Sequence, residues 1–262
     1  MSTSEEPLEG GGRSHVYRRG DVVLRDSGPW SATVHSFLRH LEAVGFDAAP
    51  RVVAGGFDQD GREMLTFIEG EFVHPGPWRE EALPVLGNLL RRLHDASDSF
   101  RPNPGATWRP GYNRDLGDYR RVYGHGDLGP WNIVARDGLP VALIDWETAG
   151  PVDALIELGE ACWLNAQLHD DDVAARNDLA SAEDRARHAA LIAEGYELPR
   201  ALSSRLVQAM IDVAVADAAD QAIGAKVTPD TGDATALWGL AWRARAAAWM
   251  VRHRMMLSRA LS

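Results

Sequence analysis

At 262 residues the chain has room for one large domain or two small lobes, and its 45% hydrophobic and 25% charged content is that of an ordinary globular protein. A formal charge of −11, from 38 acidic against 27 basic residues, argues against a nucleic-acid partner, because neutralising phosphates needs a basic face. No stretch approaches the ~18 uninterrupted apolar residues of a membrane span, and the acidic start MSTSEEPLEGGG lacks the basic-then-apolar order of a secretory signal, so no membrane partner and a cytoplasmic location are expected.

Residues 1–14 read as a lead-in that closes on Gly10-Gly11-Gly12. Two short runs follow, His15-Val16-Tyr17-Arg18 and Val22-Val23-Leu24-Arg25, and the Gly20 turn between them predicts a hairpin. From Ser31 the spacing becomes helical. Val34, Phe37, Leu38, Leu41 and Val44 fall on one face, with Ser31 as N-cap and Gly45 as stop. Arg51–Ala54 and Glu63–Ile68 then predict two more strands. Strand, strand, helix, strand, strand describes a small α+β lobe around an antiparallel sheet.

Glu69 through Pro77 reads as a connector, after which Leu83, Leu86, Leu89, Leu90 and Leu93 mark a helix ending near His94. Proline and glycine dominate from Arg101 to Gly111. Beyond about residue 153 several helices are expected, the last from Ala234 to about Arg259, with Trp238, Trp242 and Trp249 on one core-facing side. The single cysteine, Cys162, excludes an intramolecular disulfide and a multi-thiolate zinc site. Beside Trp163 it is expected to be a buried structural thiol.

The chemistry concentrates between residues 125 and 147. His125-Gly126-Asp127 and Asn132 precede two apolar runs folded around Asp137-Gly138, a dipeptide suited to a type I′ turn. With those two residues in the turn, Arg136 faces Leu139 and Asn132 faces Leu143, which sets Asp145 two residues further along its strand. Two carboxylates and an amide thus converge on one spot. Oxygen ligands of this kind suit Mg²⁺, and Asp127 is free to accept a hydroxyl proton, the division of labour that phosphoryl transfer needs.

These residues carry a resemblance. The segment is similar to the catalytic core of the aminoglycoside phosphotransferase and choline kinase superfamily, relatives of protein kinases: His125-Gly126-Asp127 with Asn132 resembles the catalytic loop, Ile144-Asp145-Trp146-Glu147 the metal-binding segment, and Leu89-Leu90-Arg91-Arg92-Leu93-His94 the helix ahead of it. The resemblance implies a two-lobed protein-kinase-like α+β fold, with a nucleotide-binding lobe over residues 1–70 and a mostly helical catalytic lobe over 71–262. It implies transfer of the γ-phosphate of ATP to a small-molecule hydroxyl, with Asp127 as base, His125 supporting the loop, and Asn132 and Asp145 holding Mg²⁺. Backbone groups near Thr66, Phe67 and Ile68 would hold the adenine, and Gly10–Arg13 with the first hairpin would cover the phosphates.

The pattern departs where the family places a lysine on its third strand and a glutamate on the following helix. The only lysine here is Lys226, and Arg25 occupies the strand position with no acid in register near Val34 and His35. Arginine keeps the charge but presents a planar fork, so the exchange is not conservative. A milder departure is Glu157-Leu158-Gly159, where the family has Asp-Leu-Ala. A weak or inactive nucleotide-binding regulatory protein of the same fold stands as the alternative. Asp153, Glu160, Trp163 and the Asp170-Asp171-Asp172 run are candidate liners of the acceptor site, with the acidic run more readily read as a solvated loop before a helix, and charge together with the resemblance points to a cationic hydroxyl acceptor.

Overall fold

The computed structural model describes residues 4–8 and 16–262; Gly10–Arg13 and His15 lie outside them. β-Branched runs on either side of Gly20, which takes φ +62°, form strands β2 (Val16–Arg19) and β3 (Val22–Arg25). The lead-in contributes a short unpredicted strand β1 (Glu6–Pro7) that pairs with β2. Helix α1 (Ser31–Ala43) begins one residue earlier in phase than expected. Trp30 is the cap position, and Ser31, already helical, accepts from the Gly28 amide at 2.9 Å. Gly45 ends the helix at φ +84°, as its position predicts. Strands β4 (Val52–Phe57) and β5 (Glu63–Thr66) complete an antiparallel sheet ordered β1-β2-β3-β5-β4.

Beyond the connector, α2 (Ala82–Ser97) buries its leucine stripe. Strand β6 (Arg121–Gly124) pairs with β9 (Gly150–Asp153), a pair the sequence analysis does not anticipate. Between them lies the ribbon β7 (Ile133–Arg136) and β8 (Leu139–Leu143), and the remainder is α3 (Ala154–Asn165), α4 (Asp171–Arg176), α5 (Ala182–Gly195), α6 (Ser203–Gly224), α7 (Ala234–Arg252) and α8 (Arg254–Ala260). The last predicted helix is therefore two, broken at His253. Its tryptophans do not share one environment either: Trp249 is fully buried and Trp242 half-buried, whereas Trp238 is exposed. Cys162 is buried, donates weakly to the Ala189 carbonyl, and burial pushes its thiol pKa up.

One buried cluster runs through both lobes, with Phe37 of α1 edge-on to Trp146 at 5.9 Å and the α3–α6–α7 packing beyond it. The sheet is thereby fixed over the ribbon. Among the described residues no helix is long and apolar enough to cross a membrane.

Candidate active site

The ribbon turns at Asp137 and Gly138, both at positive φ (+52° and +74°), and Arg136 pairs with Leu139 as the type I′ turn requires. The register then slips. Ala135 pairs with Pro140 but Val134 with Ala142, so Val141 is an extra residue beside a proline that cannot donate to the ladder. Asn132 consequently faces Ile144 rather than Leu143, accepting from its amide at 2.9 Å. The correction brings Asp145 one residue from the Asn132 pairing instead of two.

Asp145 leaves the strand in the left-handed region, φ +62° and ψ +59°, a conformation that short acidic side chains tolerate at modest cost. The residues around it hold the twist. Ile144 bonds Asn132 through its amide and receives His125 Nε2 on its carbonyl at 2.7 Å, while Trp146 Nε1 donates to Leu143 O at 2.8 Å. A carbonyl can only accept, so His125 carries its proton on Nε2, and its ring lies 4.8 Å from Trp146. His125 thereby ties the catalytic loop to the end of the ribbon.

Asp127 sits at the ribbon mouth. Asn132 Nδ2 donates to its carbonyl at 3.0 Å, which leaves the amide oxygen of Asn132 as the free acceptor. Burial pushes the Asp127 carboxyl above the usual aspartate range, and the Asp145 charge adds to that; His125 and hydrogen bonding from Asn132 and the Gly129 amide partly offset it. An amide oxygen and a carboxylate oxygen beside a second acid form a hard donor set that fits Mg²⁺ completed by phosphates. Among the described residues no group of three or more His, Cys, Asp or Glu is placed to hold a metal ion.

The catalytic loop is anchored from below by Glu157, His94 and Tyr196, for which the sequence analysis has no such role, and by Glu160, read there as a liner of the acceptor site. Glu157 is fully buried, accepts the Gly126 amide at 2.7 Å and meets His94 Nε2 at 2.6 Å; His94 Nδ1 continues to the Tyr196 hydroxyl at 2.7 Å. Burial alone would raise the Glu157 pKa, yet the His94 contact and the Gly126 amide hold it below the ordinary value. Glycine is required here. A Cβ on Gly124 would stand 2.0 Å from Glu157 Oε2, and one on Gly126, at φ +80°, would stand 2.3 Å from Thr148 O. Glu160 receives the Tyr112 hydroxyl and the Leu128 amide, and burial, reinforced by the Asp127 charge, pushes its carboxyl well above the usual glutamate range.

Arg25 finds the partners that α1 does not supply. Its Nε stands 3.2 Å from Glu63, its register partner on β5, while Nη1 donates to Asp145 at 2.7 Å and Nη2 to Glu147 at 2.8 Å. Burial works against its charge, but Asp145, Glu63 and Glu147 outweigh it and raise its pKa. His35 of α1, near the helix position where an acid was sought, lies 3.4 Å from the far oxygen of Glu63. Arg109 pairs with Glu147 as well. Cross-strand register is the signal by which Glu63 could have been found.

Other predicted residues divide. The Thr66 amide donates to Arg51 O and the Phe67 amide to Asp21 O, both at 2.8–2.9 Å, so these two amides are engaged within the lobe; the Arg18 guanidinium covers the Phe67 ring at 3.8 Å. A hollow of about 630 Å³ borders Thr66, Phe67 and Ile68, and its other walls come from α2, the 47–51 loop and the ribbon residues Arg136 and Pro140–Ala142, without Arg25, Asn132 or Asp145. Asp153 is the buried N-cap of α3, accepting the amides of Tyr119, Arg120 and Leu155. Trp163 is buried. The 170–172 acids open α4, with Asp171 and Asp172 exposed as the solvated reading expects, and Arg252, Arg245 and the Trp249 indole hold them.

Residues 114–191 match the model of the phosphotransferase enzyme family. Over 255 residues the chain is 58% identical to a trifolitoxin immunity protein of Rhizobium leguminosarum bv. trifolii, covering 97% of this chain and 98% of that one. An amicoumacin kinase solved with AMP-PNP and Ca²⁺ superposes with a TM-score of 0.71 at 12% identity, over 93% of this chain and 88% of that one. A choline/ethanolamine kinase family protein of Mesorhizobium loti does so with a TM-score of 0.59 at 18% identity, over 98% and 92%. The fold is the two-lobed, kinase-like one, and the chain belongs to the same family as the trifolitoxin immunity protein, with a segment of the phosphotransferase enzyme family at its core.

Proposed function

We propose that the protein is an ATP-dependent kinase that phosphorylates a hydroxyl of a small toxic molecule. The observation that carries this is the meeting of Asp127, Asn132 and Asp145 at the mouth of one bulged ribbon. Mg²⁺ held by Asn132 and Asp145 would neutralise phosphate charge. The Asp127 carboxylate takes the acceptor's hydroxyl proton as that oxygen bonds to the γ-phosphorus, and the β–γ bridging oxygen leaves with ADP. Arg25, anchored on Glu63, supplies a fixed positive charge beside Asp145 for the phosphates, and backbone groups of the Thr66–Ile68 connector would read the adenine. The name of the 58%-identical relative, an immunity protein, and the likeness to a kinase of the compound amicoumacin support a toxin as acceptor. A cationic group on it would be met by Asp127 and by Asp217, whose carboxyl feels the Asp127 charge.

The test is ADP release across a panel of hydroxyl-bearing antibiotics that includes trifolitoxin and amicoumacin. Asp127→Asn should cut turnover on the order of 10²–10⁴-fold with Mg·ATP affinity unchanged; if both fall together, Asp127 is not the base. One observation favours a second reading. Arg25 already grips Asp145 at 2.7 Å, as suits a regulatory protein that binds nucleotide without turning it over. In that case Mg·ATP raises the melting temperature and no acceptor releases ADP.

A further inference from the structure

A second cavity, of about 320 Å³, lies beside the catalytic loop, within the size range of ligand pockets (~300–1,000 Å³). We propose that it is a subsite for an aromatic portion of the phosphate acceptor, held between Trp131 of the catalytic loop and Trp238 of α7. Naming the occupant as the acceptor rests on the phosphotransfer function proposed above; the cavity's preference for an aromatic ring does not.

Position is the first support. Trp131 directly precedes Asn132 and follows Asp127 by four residues, so at ~3.6 Å per residue its Cα lies within about 14 Å of that of Asp127. The opposite wall is also tied to the site. Trp242 adjoins Arg243, which binds Asp217 at 2.6 Å, and Asp217 is near enough to Asp127 to feel its charge. The cavity therefore lies between the catalytic loop on one side and α4 and α7 on the other, where part of a molecule presenting a hydroxyl to Asp127 would extend.

Chemistry is the second. Trp131 and Trp238 keep 37% and 47% of their surface exposed, from two different elements onto one hollow, whereas Trp146, Trp163 and Trp249 are fully buried. Leaving two indoles wet costs hydrophobic free energy that a stacked ring would recover. In a chain of charge −11 the cavity wall contains no Asp, Glu, Lys or Arg. Its histidines do not alter that near neutral pH. Burial lowers the pKa of His74, and burial together with Arg185 lowers that of His169 to about 4. Trp242 backs the floor, tilted against Trp163 at 5.6 Å and edge-on to His169 at 5.5 Å, so the aromatic surface is rigidly supported. An uncharged, aromatic wall selects a flat apolar ring over a sugar or a polyamine.

The experiment uses indole-3-ethanol and 1,2-propanediol as probes, titrated by NMR against the full chain without nucleotide, with wild type, Trp238→Ala and Trp131→Ala. Both tryptophans are exposed, so their loss should leave the melting temperature near wild type. Indole-3-ethanol should bind at least about tenfold more tightly than 1,2-propanediol, and each alanine variant should weaken it about tenfold while leaving 1,2-propanediol unaffected. Equal binding of the two probes, or indole binding indifferent to both substitutions, overturns the proposal. ADP release is read separately with Mg·ATP. Turnover of aliphatic acceptors without indole binding overturns the subsite and upholds the kinase, whereas tryptophan-dependent binding with no turnover of any acceptor upholds an aromatic site and removes the acceptor as its occupant.

Discussion

The catalytic ribbon and the Arg25 cluster face each other across the lobes and are held by opposite means. In the ribbon, backbone groups do the positioning: the Ile144 amide on Asn132, the His125 ring on Ile144 and the Glu157 carboxylate on the Gly126 amide set the loop before any metal arrives. The Arg25 cluster is made of charge. One guanidinium, 7% exposed, meets three carboxylates from β5 and from the segment after β8. Backbone positioning is distributed, so no single side chain carries it. A buried charge cluster is concentrated, and removing its centre leaves Glu63, at 6% exposure, without its cation. The lobes are thus joined by an interaction that is strong only while intact.

The largest effect should follow from breaking that centre. Arg25→Met is expected to cost about 3–5 kcal/mol, because it strands a buried carboxylate, and to lower the melting temperature by roughly 10 °C for a chain of this size. Glu63→Gln alone should cost less, since the fork keeps Asp145 and Glu147. In the double variant the losses should fall well short of their sum, the signature of one shared interaction. Additive losses would mean that Arg25 and Glu63 act separately and that the contrast with the ribbon is false. Arg25→Lys, which retains charge without the fork, should lie between wild type and Arg25→Met.

The same contrast explains what the sequence made legible. Asp127, Asn132 and Asp145 lie within nineteen residues, joined by a turn dipeptide that dictates its own geometry, so their convergence follows from local rules. The one-residue error at Asn132 arose at Val141, where Pro140 interrupts the ladder and no rule of spacing announces a bulge. Arg25 was identified, but its partners were not: Asp145 is 120 residues away, and Glu63 was sought on a helix when strand register supplies it. The β6–β9 pair was missed for a similar reason, since each strand has four residues and no alternation long enough to register. Trp238 was expected in the core because helical spacing reports which face a residue occupies, not whether a neighbour covers that face.

A smaller effect should mark the anchor beneath the ribbon. Glu157→Gln keeps the shape and the acceptor for the Gly126 amide but removes the charge facing His94. The expected cost is about 2 kcal/mol of stability, read by denaturant unfolding, with roughly a tenfold loss of turnover as the loop loosens. If turnover falls as far as in Asp127→Asn, Glu157 does more than position. If neither changes, the loop is held by backbone bonds alone, and the distinction between the two regions becomes sharper still.

The smallest effect concerns the floor beneath Trp242. Burial, helped by the Arg185 charge, lowers the His169 pKa from 6.5 to about 4. An unfolded chain takes up a proton on this residue below about pH 6.5, while the folded protein refuses it until about pH 4. Protonation therefore favours the unfolded state across that window, and stability contributed above pH 6.5 is lost as pH falls through it. Below pH 4 both states carry the proton and the loss is complete. Because the ring is only half-buried, the loss should be about 1–2 kcal/mol rather than the full ~3 kcal/mol that the gap in pKa would give. Melting curves between pH 7 and 4 should show wild type losing that much more stability than His169→Gln, which has no proton to gain. Parallel curves would show that His169 titrates as it does in water, and that the floor of the cavity is wetter than its burial indicates.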